Sequence, residues 1–271
     1  MFYSIVVGII ILYLFFIMPK IFNRRDFKPL LNKYYAHRGF HSEQVPENSM
    51  KAFELAVNGD YGIELDVRLS KDKIPLVFHD HNLKRMCGLD KGISDLSYEE
   101  LQVLRLKNSN EKIPKLVDVL NLVDEKVPLI IELKVRSKDD FALLCEKVTE
   151  VLDAYKGIYC IESFNPFVLF WFKRFRPKII RGQLSTDYFK DKIEGEFFIN
   201  MLLSNLCFNF QTKPDFIAYK HKYKNKLSYR LCRDLYKSMT VAYTIKTKDE
   251  LEKSKDDFHI FIFENFHPRE P

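Results

Sequence analysis

The sequence has few cysteines, and none in the spacings that bind metal or build a disulfide framework. There are five, an odd number without a CxxC pair: Cys87, Cys145, Cys160, Cys207 and Cys232. Reduced thiols in a cytosolic compartment are the simpler interpretation. From Lys33 onward the sequence also lacks Gly/Ser-rich tracts, internal repeats and shifts of composition. These absences favour one domain over several.

A strong charge of one sign is missing as well. The formal net charge of +6 is small for 271 residues, and the basic residues are spread along the chain, so no nucleic-acid partner is expected. With 46% hydrophobic and 30% charged residues the composition is that of a globular protein, which excludes a disordered chain.

Charged residues are absent from Phe2 to Met18. At about 1.5 Å per residue this run is about 25 Å long, just enough to span a hydrocarbon core. A signal peptide would have basic residues before the run and a small-residue cleavage site after it, and both are missing. A buried core helix is the other alternative, but apolar side chains occupy every face. The run therefore predicts a transmembrane anchor over residues 1–19.

Basic residues follow the apolar run and none precedes it: Lys20, Arg24, Arg25 and Lys28. This asymmetry predicts a single-pass protein of the cell membrane with its C-terminal part in the cytoplasm. Residues 20–32 are expected to form a basic linker and residues 33–271 a single catalytic domain.

Short apolar runs alternate with segments of helical periodicity after residue 33, which indicates a parallel sheet with crossover helices. Nine strands are predicted: Lys33–Ala36, Gly62–Val67, Pro75–Phe78, Pro128–Leu133, Gly157–Glu162, Lys178–Arg181, Asp215–Tyr219, Met239–Thr244 and His259–Phe263. The expected helices are Ser49–Val57 with Asn48 as N-cap, Ser97–Leu104, Leu116–Val123, Asp140–Tyr155, Pro166–Phe175, Tyr229–Tyr236 and Lys248–Ser254.

Only Ser70–Ile74 separates the second predicted strand from the third. A parallel crossover needs a dozen or more residues, so this connection is a hairpin and the third strand is antiparallel. The remaining eight strands predict an α/β fold, a (β/α)8 TIM barrel. The alternative, an open doubly wound sheet, would carry a Gly-rich phosphate loop after its first strand, which this sequence lacks.

Residues able to do chemistry stand where these strands end. The first strand runs into His37 and Arg38, the second carries Glu64 and Asp66, the hairpin arm ends at His79-Asp80, and the next strand carries Glu132 and Lys134. Glu64 and Asp66, like Glu132 and Lys134, are two residues apart and lie on one face of a strand. Barrel active sites form at these carboxyl ends of the strands.

The residue types point to phosphoryl chemistry. The carboxylates of Glu64, Asp66 and Glu132 would form an all-oxygen site for Ca²⁺ or Mg²⁺. Two histidines serve as general acid and base near neutral pH, and Arg38 and Lys134 can bind phosphate oxygens. His41 and His81 are close enough in sequence to line the same pocket.

Several motifs resemble the glycerophosphodiester phosphodiesterase family: AHRGF (36–40), PENS with its following AF (46–49, 52–53), IELDVRLSKD (63–72), VFHD (77–80) and IELK (131–134). Weaker matches in the C-terminal half are SFNP (163–166), RGQLS (181–185) and YTIKT (243–247). The resemblance implies a barrel enzyme with one divalent cation that cleaves a glycerophosphodiester to glycerol 3-phosphate and an alcohol.

The resemblance also implies roles for residues. His37 and His79 correspond to the acid/base pair, and Arg38 and Lys134 to phosphate contacts. Glu64, Asp66 and Glu132 correspond to the metal ligands. Glu47 corresponds to an acidic residue that lines the family's substrate-binding site. Tyr243 replaces a common tryptophan, and Phe263-Glu264-Asn265 stands where many members have Thr-Asp, so substrate preference is open.

Other functions stay open at the level of sequence. The substrate is a glycerophosphodiester or, given the anchor, a lysophospholipid cleaved by lysophospholipase D-type hydrolysis. Glycoside hydrolysis would need no histidine pair, and an inactive membrane-tethered binding domain would have lost a ligand or a histidine. No obligate protein partner is inferred. The alcohol, the metal, the oligomeric state and the choice between water attack and a cyclic phosphate are undetermined.

Overall fold

The computed structural model describes residues 2–135 and 140–269. Met1 of the predicted anchor, and residues 136–139 and 270–271 of the predicted domain, lie outside the described residues. Within them, the strands are Tyr34–His37 (β1), Gly62–Leu69 (β2), Pro75–Val77 (β3), Leu129–Leu133 (β4), Tyr159–Ser163 (β5), Arg181–Ser185 (β6), Phe216–Lys220 (β7), Met239–Ile245 (β8) and Ile260–Phe263 (β9).

The α-helices of the same part are Phe2–Ile17 (α1), Met50–Asn58 (α2), Lys84–Cys87 (α3), Tyr98–Leu101 (α4), Leu116–Val123 (α5), Phe141–Leu152 (α6), Pro166–Phe175 (α7), Phe197–Ser204 (α8), Asn209–Thr212 (α9), Leu227–Arg230 (α10) and Lys248–Glu252 (α11). Short 3₁₀ turns cover Lys28–Leu30, Ile93–Asp95 and His221–Tyr223, and a π-helical turn, Leu231–Leu235, continues α10.

The sheet closes on itself. Its strands follow the order β1-β9-β8-β7-β6-β5-β4-β2-β3, with β1 also paired to β2. The eight barrel strands are parallel, while β3 is antiparallel to β2 with Val67 opposite Val77. The predicted barrel and its hairpin arm are thus confirmed. The carboxyl ends of the eight parallel strands define one end of the barrel, called here the mouth, and their amino ends define the base.

The barrel interior and the helix layer form separate apolar cores. The interior cluster includes Tyr35, Leu184 and Phe216, and Phe27 and Leu30 from the segment before β1 extend it. The Tyr35 hydroxyl donates to the Leu30 carbonyl at 2.8 Å. The segment that follows α1 therefore fills the base of the barrel with buried side chains.

Three local predictions differ from the structure. Ser49, not Asn48, caps α2, because its side chain accepts a hydrogen bond from the Ala52 amide. Strand β6 begins at Arg181 instead of Lys178, because its buried polar residues hide the strand from a hydrophobic pattern. Helix α8 was not predicted, since its apolar residues Phe197 and Phe198 are exposed while Asn200 and Ser204 are buried, the reverse of an amphipathic pattern.

The apolar N-terminal run does form a helix, α1. Among residues 2–135 and 140–269, however, no helix has both the length and the apolar character needed to cross a membrane. The predicted transmembrane span is therefore not supported by the structure.

Candidate active site

The three carboxylates predicted to bind metal meet at the mouth. In the register of the sheet, His37 lies opposite Glu64, and Asp66 lies opposite Glu132. One oxygen atom from each of Glu64, Asp66 and Glu132 lies within 4.8 Å of the others, and all three residues are buried. Parallel pairing of β1, β2 and β4 creates this cluster, because it brings strand ends that are distant in sequence to one edge.

Burial and like charge perturb these acids. Burial, with repulsion from Asp66 and Glu132, raises the pKa of Glu64 well above its usual value. Burial also raises the pKa of Glu132, against the attraction of Lys134. For Asp66 burial is outweighed by Lys134 and Arg38, which hold the pKa of that carboxyl well below its ordinary range. The cluster therefore has an excess of negative charge that a cation would neutralise.

A hard divalent cation fits this donor set, because all the available atoms are oxygens. A buried carboxylate oxygen beside the cluster, Glu162 Oε2, accepts no hydrogen bond, and Asp66 Oδ1 has Lys134 Nζ at 3.1 Å. Glu162 lies on β5 opposite Glu132 and was missed in the sequence. Its signal was available, since IES at the end of β5 repeats the pattern of IEL at the end of β4.

His37 is held between the carboxylate cluster and the last strand. Its Nδ1 lies 2.5 Å from Glu264 Oε2, while its Nε2 faces Glu64 Oε2 at 3.9 Å. Burial lowers the pKa of His37 to about 4, although Glu264 opposes this effect. A neutral His37 that donates Nδ1–H to Glu264 keeps Nε2 free to accept a proton.

Glu264 also contacts two other residues. His41 Nε2 lies 3.6 Å from Oε2, and Lys246 Nζ lies 2.6 Å from Oε1. Burial would raise the pKa of Glu264, but His37, His41 and Lys246 lower it strongly. The sequence had singled out Glu264 only as a departure from the family pattern; the structure places it directly behind His37.

His79 is oriented by a second chain of contacts. Its Nδ1 lies 2.6 Å from Asp80 Oδ1, and Asp80 Oδ2 accepts from Arg85 Nε at 2.6 Å. The His79 carbonyl accepts from Arg68 Nε at 2.8 Å. Residues of β2 and α3 thus hold His79 in place. Arg68 and Arg85 were missed in the sequence.

Glu47 links the residue that follows β1, Arg38, to helix α3. Its carboxylate accepts from Arg38 Nη1 at 2.8 Å and from both terminal nitrogens of Arg85, at 2.6 and 2.9 Å. Both oxygens are engaged, so in this structure Glu47 positions two arginines. Its neighbour Asn48 donates Nδ2–H to Asp66 Oδ2 at 2.8 Å.

The two cations predicted to bind phosphate lie against the carboxylates. Lys134 Nζ is 2.7 Å from Glu132 Oε2 and 3.1 Å from Asp66 Oδ1. Arg38 Nε is 3.3 Å from Asp66 Oδ2, and the Arg38 amide donates to Glu64 Oε2 at 3.0 Å. Arg38 has a φ of +55°, a conformation that costs free energy in a non-glycine residue and is typical of functional sites.

Aromatic rings form the wall of the mouth beside Lys134. Lys134 Nζ lies 5.9 Å from the centroid of the Phe164 ring, and that ring lies near Tyr188 and Tyr243 at centroid distances of 6.4 and 6.2 Å. The Tyr243 hydroxyl donates to the Ser185 carbonyl at 2.7 Å. The site thus has a charged half and an apolar half, which suits a phosphate joined to a less polar group.

Comparison with known proteins agrees with this chemistry. The profile of the Glycerophosphoryl diester phosphodiesterase family matches residues 37–187, over half of the chain. A Glycerophosphodiester phosphodiesterase of Bacillus altitudinis is 33% identical over 167 residues, covering 58% of this chain and 68% of that protein. Rat Lysophospholipase D GDPD1 is 32% identical over 151 residues, covering 51% of this chain but only 46% of that protein.

Among solved structures, a phosphodiesterase of Oleispira antarctica in complex with the product sn-glycerol-3-phosphate superimposes with a TM-score of 0.71. The match has 23% identity and covers 86% of this chain and 93% of that one. It shows a common fold. Together with the match over residues 37–187, these findings show that the chain belongs to the glycerophosphoryl diester phosphodiesterase family.

Proposed function

We propose that the chain hydrolyses glycerophosphodiesters to glycerol 3-phosphate and an alcohol with one divalent cation, Ca²⁺ or Mg²⁺, held by Glu64, Asp66 and Glu132. The observation that carries the proposal is the convergence of these three buried carboxylates within 4.8 Å, beside His37. When bound, the cation would act as a Lewis acid on a non-bridging phosphate oxygen.

His37 is suited to act as the general base. Its low pKa keeps Nε2 unprotonated at neutral pH, and the hydrogen bond to Glu264 stabilises the charge that develops when Nε2 takes a proton. The proton would come from water, or from the neighbouring glycerol hydroxyl when that group attacks phosphorus to give a cyclic phosphate.

His79 is suited to act as the general acid. The bond from phosphorus to the alcohol oxygen breaks, and a proton from His79 neutralises the departing alkoxide. Asp80 would fix the orientation of the ring, because its Oδ1 lies 2.6 Å from His79 Nδ1. Arg38 and Lys134 are the residues that would hold phosphate oxygens during the reaction.

The test is hydrolysis of glycerophosphocholine by the full chain with Ca²⁺, with Mg²⁺ and with EDTA. We expect metal-dependent release of choline, abolished in His37→Ala and His79→Ala. His259→Ala is the matched control, since His259 lies at the base of the barrel, against Thr240. Equal activity in EDTA, or retained activity in both site variants, would overturn the proposal.

Lysophospholipids are the second candidate substrate. The apolar half of the site, formed by Phe164, Tyr188 and Tyr243, favours this possibility. Lysophosphatidylcholine assayed beside glycerophosphocholine decides it: a larger kcat/KM for the lysophospholipid supports a lipid substrate, and a smaller one supports a water-soluble diester.

A further inference from the structure

Helix α1 lies beside the barrel, with its C-terminal end nearer the base and its N-terminal end nearer the mouth. The Ile17 carbonyl accepts from Asn209 Nδ2 at 3.0 Å, and the Leu14 carbonyl accepts from the Tyr236 hydroxyl at 2.9 Å. One turn earlier, Tyr13 lies within hydrogen-bonding reach of Ser228. Ser228 belongs to the start of α10, which is at the mouth, because β7 ends there and β8 begins at the base.

Residues 2–12 therefore project past the mouth end of the barrel. They extend for about 16 Å at about 1.5 Å per residue. Their large side chains are exposed on every side of the helix: Phe2, Tyr3, Ile5, Val6, Val7, Ile9, Ile10, Ile11 and Leu12, from 38% to 84%. No charged residue interrupts them. A helix that is apolar all round suits surroundings that are apolar in all directions, whereas a protein partner covers one face.

A second group of exposed apolar side chains lies at the same end of the molecule. These residues, called here the apolar rim, come from the first turns of α7, α8 and α10 and from the loop that follows β6: Phe167, Phe189, Ile193, Phe197, Phe198, Ile199 and Leu227. Each segment follows a barrel strand at its carboxyl end. The apolar rim therefore borders the mouth that contains the carboxylate cluster.

Exposed lysines lie among the rim residues. Lys190 and Lys192 belong to the loop after β6, and Lys222 belongs to the turn after β7. The loop after β6 also exposes two acids, Glu194 and Glu196, so the loop and the turn after β7 together carry one more exposed positive charge than negative. Lysines beside exposed aromatic and aliphatic side chains suit the headgroup layer of an anionic bilayer.

We propose that the mouth of the barrel docks on a phospholipid bilayer, with residues 2–12 inserted into the near leaflet and the apolar rim at the headgroup layer. Half of a hydrocarbon core of about 30 Å matches the length of about 16 Å that projects. The helix enters one leaflet without crossing the bilayer. The carboxylate cluster then opens toward the lipid surface.

Fluorescence quenching by brominated lipids tests this orientation. Single tryptophans are placed by Ile10→Trp, Phe198→Trp and Leu235→Trp in a Trp171→Phe background, since Trp171 is the one native tryptophan. Leu235 is the matched control, because it is as exposed as Ile10 but lies near the base, four residues before β8. Should Trp171→Phe fail to fold, Trp171 is kept and its own quenching is subtracted.

The full chain is bound to vesicles of phosphatidylcholine with phosphatidylglycerol. We expect the brominated lipid to lower the fluorescence of a tryptophan at position 10 or 198 at least twofold. The fluorescence of a tryptophan at position 235 should not change. Quenching at 10 alone would overturn the docking of the mouth, and equal quenching at 198 and 235 would overturn the orientation. If the chain does not float with vesicles and has twice its monomer mass without lipid, a second copy covers α1 and the proposal fails.

Activity provides a second readout, which rests on the proposed function. The pair Phe197→Ser and Phe198→Ser should lower hydrolysis of vesicle-bound lysophosphatidylcholine about tenfold and leave that of glycerophosphocholine unchanged. An equal loss on both substrates would contradict a role in docking. If the native chain hydrolyses neither, the proposed function fails, while the quenching pattern still decides the orientation.

Discussion

Glu264, the residue after β9, shows how a single side chain can set the state of the histidine proposed as the general base. Its Oε2 lies 2.5 Å from His37 Nδ1, and Lys246 fixes its other oxygen at 2.6 Å. The carboxylate therefore selects the tautomer of His37 whose Nε2 faces the substrate side. Glu264 acts through His37, which makes it a positioning residue.

Glu264→Gln is expected to lower kcat on glycerophosphocholine by about 10²-fold, a typical contribution of an oriented acid or base. KM should change little, because Glu264 has no direct role in holding phosphate. The pH profile of kcat should also move, since the imidazolium loses its carboxylate partner. Asp249→Asn is the control, as Asp249 is an exposed acid paired with Lys253. Unchanged kcat and pH profile would refute the assignment.

Glu47 makes a pH-dependent contribution to stability. Burial alone would raise its pKa, but Arg85 and Arg38 lower it from 4.5 to about 2. A lowered carboxyl pKa means that the unfolded state binds the proton more readily. The contacts therefore stabilise the fold fully above about pH 4.5, and this stabilisation is lost as the pH falls toward 2.

Glu47→Gln is expected to lower the free energy of unfolding at pH 7 by about 3 kcal/mol, the free energy that corresponds to lowering the carboxyl pKa from 4.5 to about 2. The difference from the native chain should shrink steadily between about pH 4.5 and pH 3. Urea titrations at several pH values measure it, with Glu54→Gln as an exposed control. A difference that does not depend on pH would show that the loss comes from packing alone.

At the scale of elements, the existence of the strands was predictable, but the residues at which they begin and end were not always so. Apolar residues dominate β4 and β8, and in β2 they alternate with Glu64 and Asp66, so each of these strands has an apolar pattern that marks it as buried. In β6 the sequence RGQLS is polar, and the Arg181 side chain donates to the carbonyls of Thr212 and Lys213. Hydrogen bonds of this kind form only in the folded barrel, so hydrophobic periodicity could not reveal them.

The difference between strand patterns and contacts of the folded barrel also explains which site residues could be identified from the sequence. His37, Glu64 and Glu132 stand at ends of strands that apolar residues define, so topology alone brings them together. Arg85 reaches Glu47 across 38 positions of sequence, from a four-residue helix without periodicity. Contacts between loops depend on the finished fold and leave no local pattern.

Gly182 is a test of the interior packing of β6. A Cβ at this position would lie 2.0 Å from Phe216 Cε2, inside the barrel core. Gly182→Ala should lower the free energy of unfolding by about 1–3 kcal/mol, the usual cost of overpacking. Gly8→Ala should not lower it, because no atom lies within 4 Å of the point that its Cβ would occupy and alanine favours a helix over glycine by up to about 1 kcal/mol. Equal stability of the two variants in urea would show that Phe216 moves freely.

At the scale of the whole molecule, binding of a cation should couple the mouth to overall stability. Repulsion among Glu64, Asp66 and Glu132 opposes folding until a cation neutralises it. At a concentration about 100 times Kd, binding adds about 2.7 kcal/mol, or roughly 5–10 °C in Tm for a chain of this size. Asp66→Asn should abolish most of the rise in calorimetry with Ca²⁺ or Mg²⁺. An equal rise in native and variant chains would place the cation elsewhere.

The two ends of α1 differ in what they do for the fold. Ile17 is fully buried, and its carbonyl accepts from Asn209 and from the Cys232 thiol, whereas the large side chains of residues 2–12 are exposed. Removal of residues 2–12 should therefore change Tm by less than about 2 °C and leave hydrolysis of glycerophosphocholine intact.

Removal of residues 2–18 should be far more damaging, because it uncovers Asn209 and Cys232 and removes the fully buried side chain of Ile17. A loss of about 3 kcal/mol is expected, the cost of an unfilled apolar site. Calorimetry of both truncations beside the full chain makes the comparison. If the shorter truncation lowers Tm as much as the longer one, the projecting half of α1 is part of the folding unit. If neither truncation lowers Tm, the barrel folds fully without any of α1.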